Sequence, residues 1–188
     1  MPTLILGSQS PRRKELLKEA GYKFLLRVSG TDEELEKGAL PEQAVRYLSE
    51  QKSLAIPIEE NEVLLTADTL VSIDGKIFGK PADESEAIRF LTNLSGRTHQ
   101  VHTGVTLRSK ENIESFVVKT DITFFSLSDK EIHKYMESGE AWDKAGGYGI
   151  QGKGALFVKY IQGDYYSVVG LPIARVVREL EAFGVLLD

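Results

Sequence analysis

The residues best suited to chemistry lie in four polar segments of the chain, and the first of these carries two arginines. The order Gly-Ser-Gln-Ser-Pro-Arg-Arg over residues 7–13 predicts a strand that enters a turn, and then a helix that begins at Pro11 after an N-cap at Ser10. Backbone N–H groups at such a helix start attract an anion, and the guanidinium groups of Arg12 and Arg13 suit phosphate. The segment therefore predicts either a phosphate site or an ordinary capped helix with two solvated arginines.

Charge is distributed unevenly around this segment. Residues 1–30 hold six basic and two acidic side chains, a net charge of +4, whereas residues 31–60 hold eight acidic and three basic ones, a net charge of -5. A basic strand-turn-helix beside an acidic segment could bind a phosphate together with its metal. It could equally form a surface layer of salt bridges, which contributes little stability.

The second segment is Thr-Ala-Asp-Thr over residues 66–69. It follows the apolar residues Val63-Leu64-Leu65, which predict a buried strand that runs up to Asp68. A carboxylate at the edge of burial must be paired, hydrogen-bonded or metal-bound to stay ionised. Asp68 is therefore predicted to be a metal ligand or a base that activates water, with an Asx-type turn as the structural alternative.

The third segment, Gly79-Lys80-Pro81, ends a predicted hairpin. Residues 69–73 and 76–78 read as its two strands, because the Asp-Gly pair between them suits a type I′ turn. If the hairpin folds back, Lys80 returns to the end of the sheet that Asp68 leaves. Lys80 is then placed to hold a phosphate as a point charge, and simple solvent exposure is the alternative.

The fourth segment, residues 144–154, is rich in glycine. Gly147 to Lys153 fits most of the P-loop spacing, but Gly154 stands where a serine or threonine should bind magnesium, and no strand precedes the segment. We therefore reject a P-loop. The glycines still indicate positive φ angles or a close backbone approach, as in a base-binding loop or a purely structural one.

Composition removes several classes of function. The chain of 188 residues has no cysteine, which excludes disulfide scaffolds, zinc-cysteine sites and thiol nucleophiles. His99 and His102 would point to opposite faces of a strand, and no Gly-x-Ser-x-Gly motif is present, so neither a zinc site nor a serine triad is expected. The net charge of -5 argues against a nonspecific nucleic-acid coat. Without a signal sequence or an apolar run of about 20 residues, we expect a cytoplasmic enzyme or binding protein.

These segments must be positioned by alternating strands and helices. Short strands are predicted at residues 3–6, 25–28, 100–107, 116–125, 156–158 and 166–169, in addition to those named above. Helices are predicted to begin at Pro11, Pro41, Ser128 and Pro172, with another around residues 87–94. Because hairpins interrupt the alternation, the pattern predicts an α/β fold with a mixed sheet flanked by helices and not a pure Rossmann fold or barrel.

Together the polar segments resemble the Maf family of nucleotide pyrophosphatases, and the match runs essentially from end to end. Six motifs carry it in the right order: Ser-Gln-Ser-Pro-Arg-Arg at 8–13, Ala-Asp-Thr at 67–69, Gly-Lys-Pro at 79–81, Ser-Gly-Arg-Thr-His at 95–99, Asp-Lys-Ala-Gly through Gln-Gly at 143–152, and Val-Gly-Leu-Pro at 169–172. The resemblance implies one α/β domain over residues 1–188, with a twisted mixed sheet and a central cleft between two lobes. Such a fold is similar to the inosine triphosphate pyrophosphatases.

The resemblance also implies a reaction and a set of roles. The reaction is hydrolysis of a nucleoside triphosphate to the monophosphate and pyrophosphate with a divalent cation, Mg²⁺ or Mn²⁺. Asp68 resembles the proton acceptor for water and, with Glu33, a metal-side carboxylate. The remaining positions resemble a phosphate-binding set, Ser8, Arg12, Arg13, Lys52 and Lys80, and a set that chooses the base, Arg12, Thr69 and Gln151.

The resemblance extends to one branch of the family. The branch that acts on 7-methyl-GTP usually has tryptophan after the Ser-Pro pair, whereas Arg12 stands there in this chain, and the Tyr-Gly-Ile-Gln run at 148–151 is intact. The chain therefore resembles the dTTP/UTP branch, with modified pyrimidines such as 5-methyl-UTP as further substrates. The implied partner is a small nucleotide, not a nucleic acid or a membrane, and a homodimer is an arrangement that the sequence permits. The competing function is that of a regulator of septum formation in cell division, in which hydrolysis is secondary.

Overall fold

A computed structural model of the protein describes residues 1–30 and 38–187. Within these ranges seven strands form one sheet: β1 (Thr3–Leu6), β2 (Leu25–Leu26), β3 (Glu62–Ile73), β4 (Lys76–Phe78), β5 (Thr98–Arg108), β6 (Ile113–Phe124) and β7 (Val158–Gln162). Six α-helices accompany it: α1 (Pro11–Glu19), α2 (Pro41–Leu54), α3 (Glu84–Leu94), α4 (Asp129–Met136), α5 (Tyr165–Val169) and α6 (Ile173–Ala182). No helix in the described ranges is long and apolar enough to cross a membrane.

The sheet is mixed, as the sequence predicts. Its order is β2-β1-β3-β5-β6-β7, and β4 pairs with β3 at the end of the strand away from β1. The β1 strand runs parallel to β2 and β3, whereas the remaining pairs are antiparallel. The predicted α/β architecture with helices around a mixed sheet is confirmed.

The strand β3 has an open stretch along one edge. The β1 strand pairs with residues 62–65 of β3 and β4 pairs with residues 71–73, whereas β5 pairs with β3 on the other side from Leu64 to Ser72. Among the described strands, none pairs with residues 66–70 on the side of β1 and β4. The sheet therefore has an opening in its middle, and Asp68 and Thr69 stand at its edge.

The prediction that a strand ends at Asp68 is wrong. The two predicted pieces, 63–68 and 69–73, are one continuous strand, because β5 pairs across both of them and places Asp68 opposite Gly104. Asp68 is thus an interior strand residue, which excludes the Asx-type turn. The predicted hairpin from β3 to β4 is confirmed, with Asp74 and Gly75 both at positive φ.

The two faces of β3 pack against different layers. Alternate residues Leu65, Ala67 and Val71 belong to the main apolar core with α3, α4 and α6. On the other face, Leu70 packs with Ala44, Val45 and Leu48 of α2, and Leu64 packs with Ile5, Ile56 and Ile58. Asp68 follows the alternation of the α2 face, and Thr69 follows that of the main core.

Local capping signals place the helices where the sequence predicts them. The Ser10 side chain accepts a hydrogen bond from the Arg13 backbone N–H at 3.4 Å, and Pro11 occupies the first turn of α1. Ser128 and Glu131 form a complete capping box at the start of α4. The turn that carries Arg12 and Arg13 is therefore held by its own sequence.

Two predicted strands near the end of the chain are not found as predicted. Residues 166–169 lie in helix α5, because the Asp164 side chain accepts from the Ser167 N–H and caps a helical turn. Residues 152–157 form a 3₁₀ helix, so β7 begins only at Val158. A short apolar run does not distinguish a strand from a turn of helix by periodicity, which explains both errors.

Candidate active site

A cavity of about 770 Å³ lies at the opening in the sheet, and this volume is typical of small-ligand sites. Its walls come from the turn after β1, the exposed edge of β3, the turn after β4, the glycine-rich segment and the end of α5. The cavity is lined by eight of the nine predicted site residues, Ser8, Arg12, Arg13, Lys52, Asp68, Thr69, Lys80 and Gln151. The ninth, Glu33, lies outside the described residues.

On the α2 face of the opening, Lys52 and Asp68 form an ion pair. The Lys52 Nζ contacts Asp68 Oδ1, and both side chains are partly exposed to the cavity. Lys52 lies in the last turn of α2 and Asp68 in the middle of β3, so the packing of α2 on the sheet brings them together. The second carboxylate oxygen, Oδ2, has no hydrogen-bond partner in the described part of the chain and is left to bind a ligand.

On the opposite face, Arg13 is a buried cation that joins three parts of the fold. Its Nε donates to Gly170 O at 2.7 Å, Nη1 to Ser8 Oγ at 3.2 Å and Nη2 to Thr69 Oγ1 at 3.2 Å. Only 9% of Arg13 is exposed, so the alternative of two solvated arginines is wrong for this residue. Burial lowers the pKa of the guanidinium, and the nearby Asp68 acts to raise it.

All three of these acceptors are neutral oxygens. In residues 1–30 and 38–187, no carboxylate lies within ion-pair distance of Arg13. A buried charge without a directly paired carboxylate is costly, so an anion in the cavity would stabilise the Arg13 guanidinium.

Thr69 and Thr103 continue the network behind Arg13. They stand directly opposite each other on β3 and β5, and their hydroxyl oxygens are 2.9 Å apart. The Thr103 hydroxyl also donates to Ser167 O of α5 at 2.6 Å. Thr103 is fully buried, whereas Thr69 lines the cavity.

Arg12 lies nearer the mouth of the cavity and is held by Asp143. The Arg12 Nη1 and the Asp143 carboxylate are 3.0 Å apart, and Lys144 Nζ contacts the same carboxylate at 2.5 Å. Partial burial acts to raise the pKa of Asp143, but hydrogen bonds from Lys144 and Arg12 outweigh it and hold the pKa at about 2. A phosphate or base that binds Arg12 therefore meets a guanidinium whose position is already restricted.

The glycine-rich segment folds tightly and joins the other walls. Gly146 and Gly147 have φ values of 71° and 75°, and the Gly146 N–H donates to Gly79 O at 2.9 Å. This bond fixes the turn that carries Lys80, an exposed residue that lines the same cavity as Asp68. Gln151 is also exposed to this cavity.

A buried histidine anchors this segment to the sheet. The His99 Nε2 and Tyr148 Oη atoms are 2.6 Å apart, and the two rings pack edge to face. Burial lowers the pKa of His99 to about 3, so the ring is neutral at ordinary pH. Tyr148 thereby fixes the chain three residues before Gln151.

Sequence reasoning gave no role to Thr103, Asp143 or Tyr148, although all three support the predicted site. Asp143 and Tyr148 lie inside the motif at residues 143–152. Thr103 carries no local signal, because its importance comes from the register that places it opposite Thr69.

The described residues of the cavity supply only part of a coordination shell for a metal ion. No group of three or more histidine and acidic side chains in the described ranges is arranged to hold a metal. Asp68 offers one carboxylate at the opening. Mg²⁺ is commonly bound by one or two carboxylates together with substrate phosphates and water, and Asp68 fits that pattern.

Comparisons with known proteins find relatives over nearly the whole chain. A family model described as Maf-like protein matches residues 3–183. The chain is 53% identical over 186 residues to a dTTP/UTP pyrophosphatase of Bacillus pumilus, covering 98% of each chain. It is 51% identical over 184 residues to a dTTP/UTP pyrophosphatase of Bacillus mycoides, covering 97% of this chain and 96% of the relative. A solved nucleoside-triphosphatase (dITP/XTP pyrophosphatase) from Mycobacterium abscessus aligns with 65% of this chain and 74% of its own, at 12% identity and a TM-score of 0.41.

Proposed function

The chain belongs to the family of Maf-like proteins, and on that premise we propose that it hydrolyses dTTP and UTP to the nucleoside monophosphate and pyrophosphate. The observation that carries the proposal is the buried guanidinium of Arg13, which lines the cavity without a carboxylate partner in the described residues. Arg12, Lys52 and Lys80 line the same cavity. With Lys144, five cationic side chains line this cavity, against the three carboxylates of Asp68, Glu140 and Asp143. The excess of positive charge suits a ligand with several negative charges, such as a triphosphate.

Asp68 is proposed to act as the general base. Its Oδ1 is held by Lys52, and Oδ2 is left to orient a water molecule at the opening. The water oxygen bonds to the α-phosphorus while the bond between that phosphorus and the bridging oxygen breaks. The proton of the water passes to Asp68, and pyrophosphate leaves with the bond electrons. The surrounding cations stabilise the charge that develops on the phosphate oxygens.

We propose that the substrate enters with Mg²⁺ or Mn²⁺. Asp68 would supply one oxygen ligand, and the predicted ligand Glu33 would supply a second. When bound, the ion neutralises phosphate charge and favours attack at phosphorus. Ser8 would contact a phosphate oxygen beside Arg13, to which its hydroxyl is already bonded.

The base is proposed to lie on the Thr69 face of the opening. There the cavity is lined by Val71, Val101, Tyr148, Ile150 and Val169, all buried members of the main core. An apolar wall suits a flat pyrimidine. Arg12, Thr69 and Gln151 can form hydrogen bonds with the polar edge of the pyrimidine. A glutamine amide offers both a donor and an acceptor to that edge, and modified uracils that keep the edge would also bind.

We further propose that residues 1–188 act as a single unit on free nucleotides in the cytoplasm and not on nucleic acid. All eight described site residues come from one chain and surround one opening in one sheet. A homodimer is therefore not needed to complete the described part of the site.

The direct test is release of pyrophosphate from a panel of dTTP, UTP, CTP and 7-methyl-GTP with Mg²⁺ or Mn²⁺. We expect release from dTTP and UTP, and little from the other two. Release from no nucleotide would contradict the proposal and favour the regulatory role in cell division. Preference for 7-methyl-GTP would contradict the assignment of the base.

A further inference from the structure

The hydroxyl groups behind the cavity form a chain whose direction can be determined. Thr103 Oγ1 lies 2.6 Å from Ser167 O, and a carbonyl oxygen only accepts hydrogen bonds. The single hydroxyl hydrogen of Thr103 is therefore used on Ser167. At 2.9 Å from Thr69 Oγ1, the Thr103 oxygen must then accept the hydrogen of Thr69.

This direction decides what Thr69 can offer to a ligand. Its one hydrogen is used on Thr103, and one of its lone pairs accepts from Arg13 Nη2 at 3.2 Å. One lone pair is left, on a side chain that lines the cavity. Thr69 therefore presents only an acceptor to the cavity, although a free threonine hydroxyl can also donate.

We propose that Thr103 is a positioning residue that makes the site selective for uracil and thymine over cytosine, by fixing Thr69 as an acceptor. This inference rests on the proposed function. The N3 atom of uracil and thymine carries a hydrogen and donates to an acceptor, whereas N3 of cytosine is itself an acceptor. If Thr69 can only accept, it bonds the N3–H group of uracil or thymine. With cytosine, the Thr69 lone pair faces the N3 lone pair and no hydrogen bond forms. A buried polar group without a partner is costly, so the site discriminates strongly against cytosine.

Burial makes this orientation stable. Thr103 and Ser167 are both fully buried, so bulk water does not compete for their hydrogen bonds. Ser167 O is the acceptor that sets the direction, and the fixed turn of α5 holds it in place through the Asp164 cap. The helix found where a strand is predicted therefore supplies the group that orients Thr69.

The test compares kcat/KM for UTP and CTP in the wild type and three variants. Thr103→Val keeps the shape of the side chain but removes the hydroxyl, which frees the Thr69 hydroxyl to rotate and donate to cytosine. We expect the UTP-to-CTP ratio to fall about tenfold, the change typical of one hydrogen bond. Thr103→Ser keeps the hydroxyl and should have the UTP-to-CTP ratio of the wild type. Thr106→Val is the matched control, because Thr106 is equally buried in β5 but bonds Ser49 and Ser115 away from the cavity.

A Thr103→Val enzyme that hydrolyses UTP with an unchanged UTP-to-CTP ratio would overturn the inference. So would an equal loss of the ratio in Thr106→Val, since a general effect on packing would then explain it. These results differ from failure of the proposed function, in which the wild type would hydrolyse neither nucleotide.

A second measurement does not depend on the folding of any variant. N3-methyl-UTP lacks the N3 hydrogen, and the wild type should hydrolyse it at least tenfold more slowly than UTP. Hydrolysis at the rate of UTP would show that the site does not use the N3 hydrogen, and would overturn the inference.

Discussion

Two adjacent residues of β3, Asp68 and Thr69, stand at the same opening in the sheet but in contrasting surroundings. Asp68 faces α2 and is held by one ion pair with a lysine, in which both side chains are partly exposed. Thr69 faces the main core and is held by Arg13 and by the fully buried Thr103. At Asp68 the Oδ2 atom has no hydrogen-bond partner among the described residues, whereas the Thr69 hydroxyl is bonded to both Arg13 and Thr103. We call the surroundings of Asp68 the adaptable face and the surroundings of Thr69 the rigid face. Chemistry is proposed for the adaptable face, and recognition of the base for the rigid face.

The largest effect should come from the adaptable face. Asp68→Asn removes the proposed base but keeps the shape of the side chain, so kcat for UTP should fall about a thousandfold. The unfolding midpoint should stay close to that of the wild type, because a partly exposed ion pair contributes little stability. Steady-state pyrophosphate release and urea unfolding measure the two quantities. Asp74→Asn, at the β3–β4 turn outside the cavity, is the control, and full activity of Asp68→Asn would disprove the role.

The rigid face should lose stability as well as activity when it is changed. Arg13→Lys keeps the charge but cannot bond Gly170, Ser8 and Thr69 at once. The loss of two of these hydrogen bonds should lower the free energy of unfolding by about 2 kcal/mol and raise KM for UTP. Arg89→Lys, on the exposed surface of α3, should change neither quantity. An Arg13→Lys variant with wild-type stability would show that the Thr69 face is less rigid than its hydrogen bonds indicate.

Acid should weaken the rigid face through His99, which lies on the same side of β5 as Thr103. Burial lowers the pKa of His99 from 6.5 to about 3, so the unfolded chain takes up a proton between these values that the folded chain does not. Stability is complete above pH 6.5 and is lost as the pH falls towards 3, by at most about 1.4 kcal/mol per pH unit. Urea unfolding at pH 7 and pH 5 should show a smaller difference for His99→Gln than for the wild type. The same slope in both proteins would contradict the prediction, and His133→Gln on the surface of α4 is the control.

The smallest effect is expected at the mouth of the cavity, where the Asp143 carboxylate is more than half exposed. Asp143→Asn should lower the free energy of unfolding by less than about 1 kcal/mol, and added salt should reduce the difference. Its KM for UTP should rise, because Asp143 no longer holds Arg12, whereas kcat should change little, because Asp143 belongs to neither face of β3. A large loss of stability at high salt would mean that the mouth is as rigid as the Thr69 face.

The sequence predicts what local signals specify. The caps at Ser10 and Ser128 locate α1 and α4, and the Asp-Gly pair locates the β3–β4 hairpin. The motifs also contain seven of the eight predicted residues that line the cavity. The eighth, Lys52, lies in no motif and is predicted only from the family resemblance.

What the sequence does not predict depends on contacts between distant residues. The strand that carries Asp68 is continuous because β5 pairs along both of its halves. Residues 166–169 are helical because Asp164 caps them, a contact that an apolar run does not reveal. Thr103 was not identified because strand register, which no single segment contains, places it opposite Thr69.

The contact between Lys52 and Asp68 also depends on a glycine of the neighbouring strand. Gly104 lies opposite Asp68 on β5, and a Cβ atom at this position would be 2.4 Å from the Val45 backbone oxygen of α2. Glycine thus sets the distance between helix and sheet, and Lys52 extends from α2 two turns after Val45. The distance between Lys52 and Asp68 therefore depends on how closely α2 packs on the sheet. A single methyl group at residue 104 would press on α2 at the same face of the sheet as Asp68, and would change the surroundings of the proposed base although residue 104 does not line the cavity.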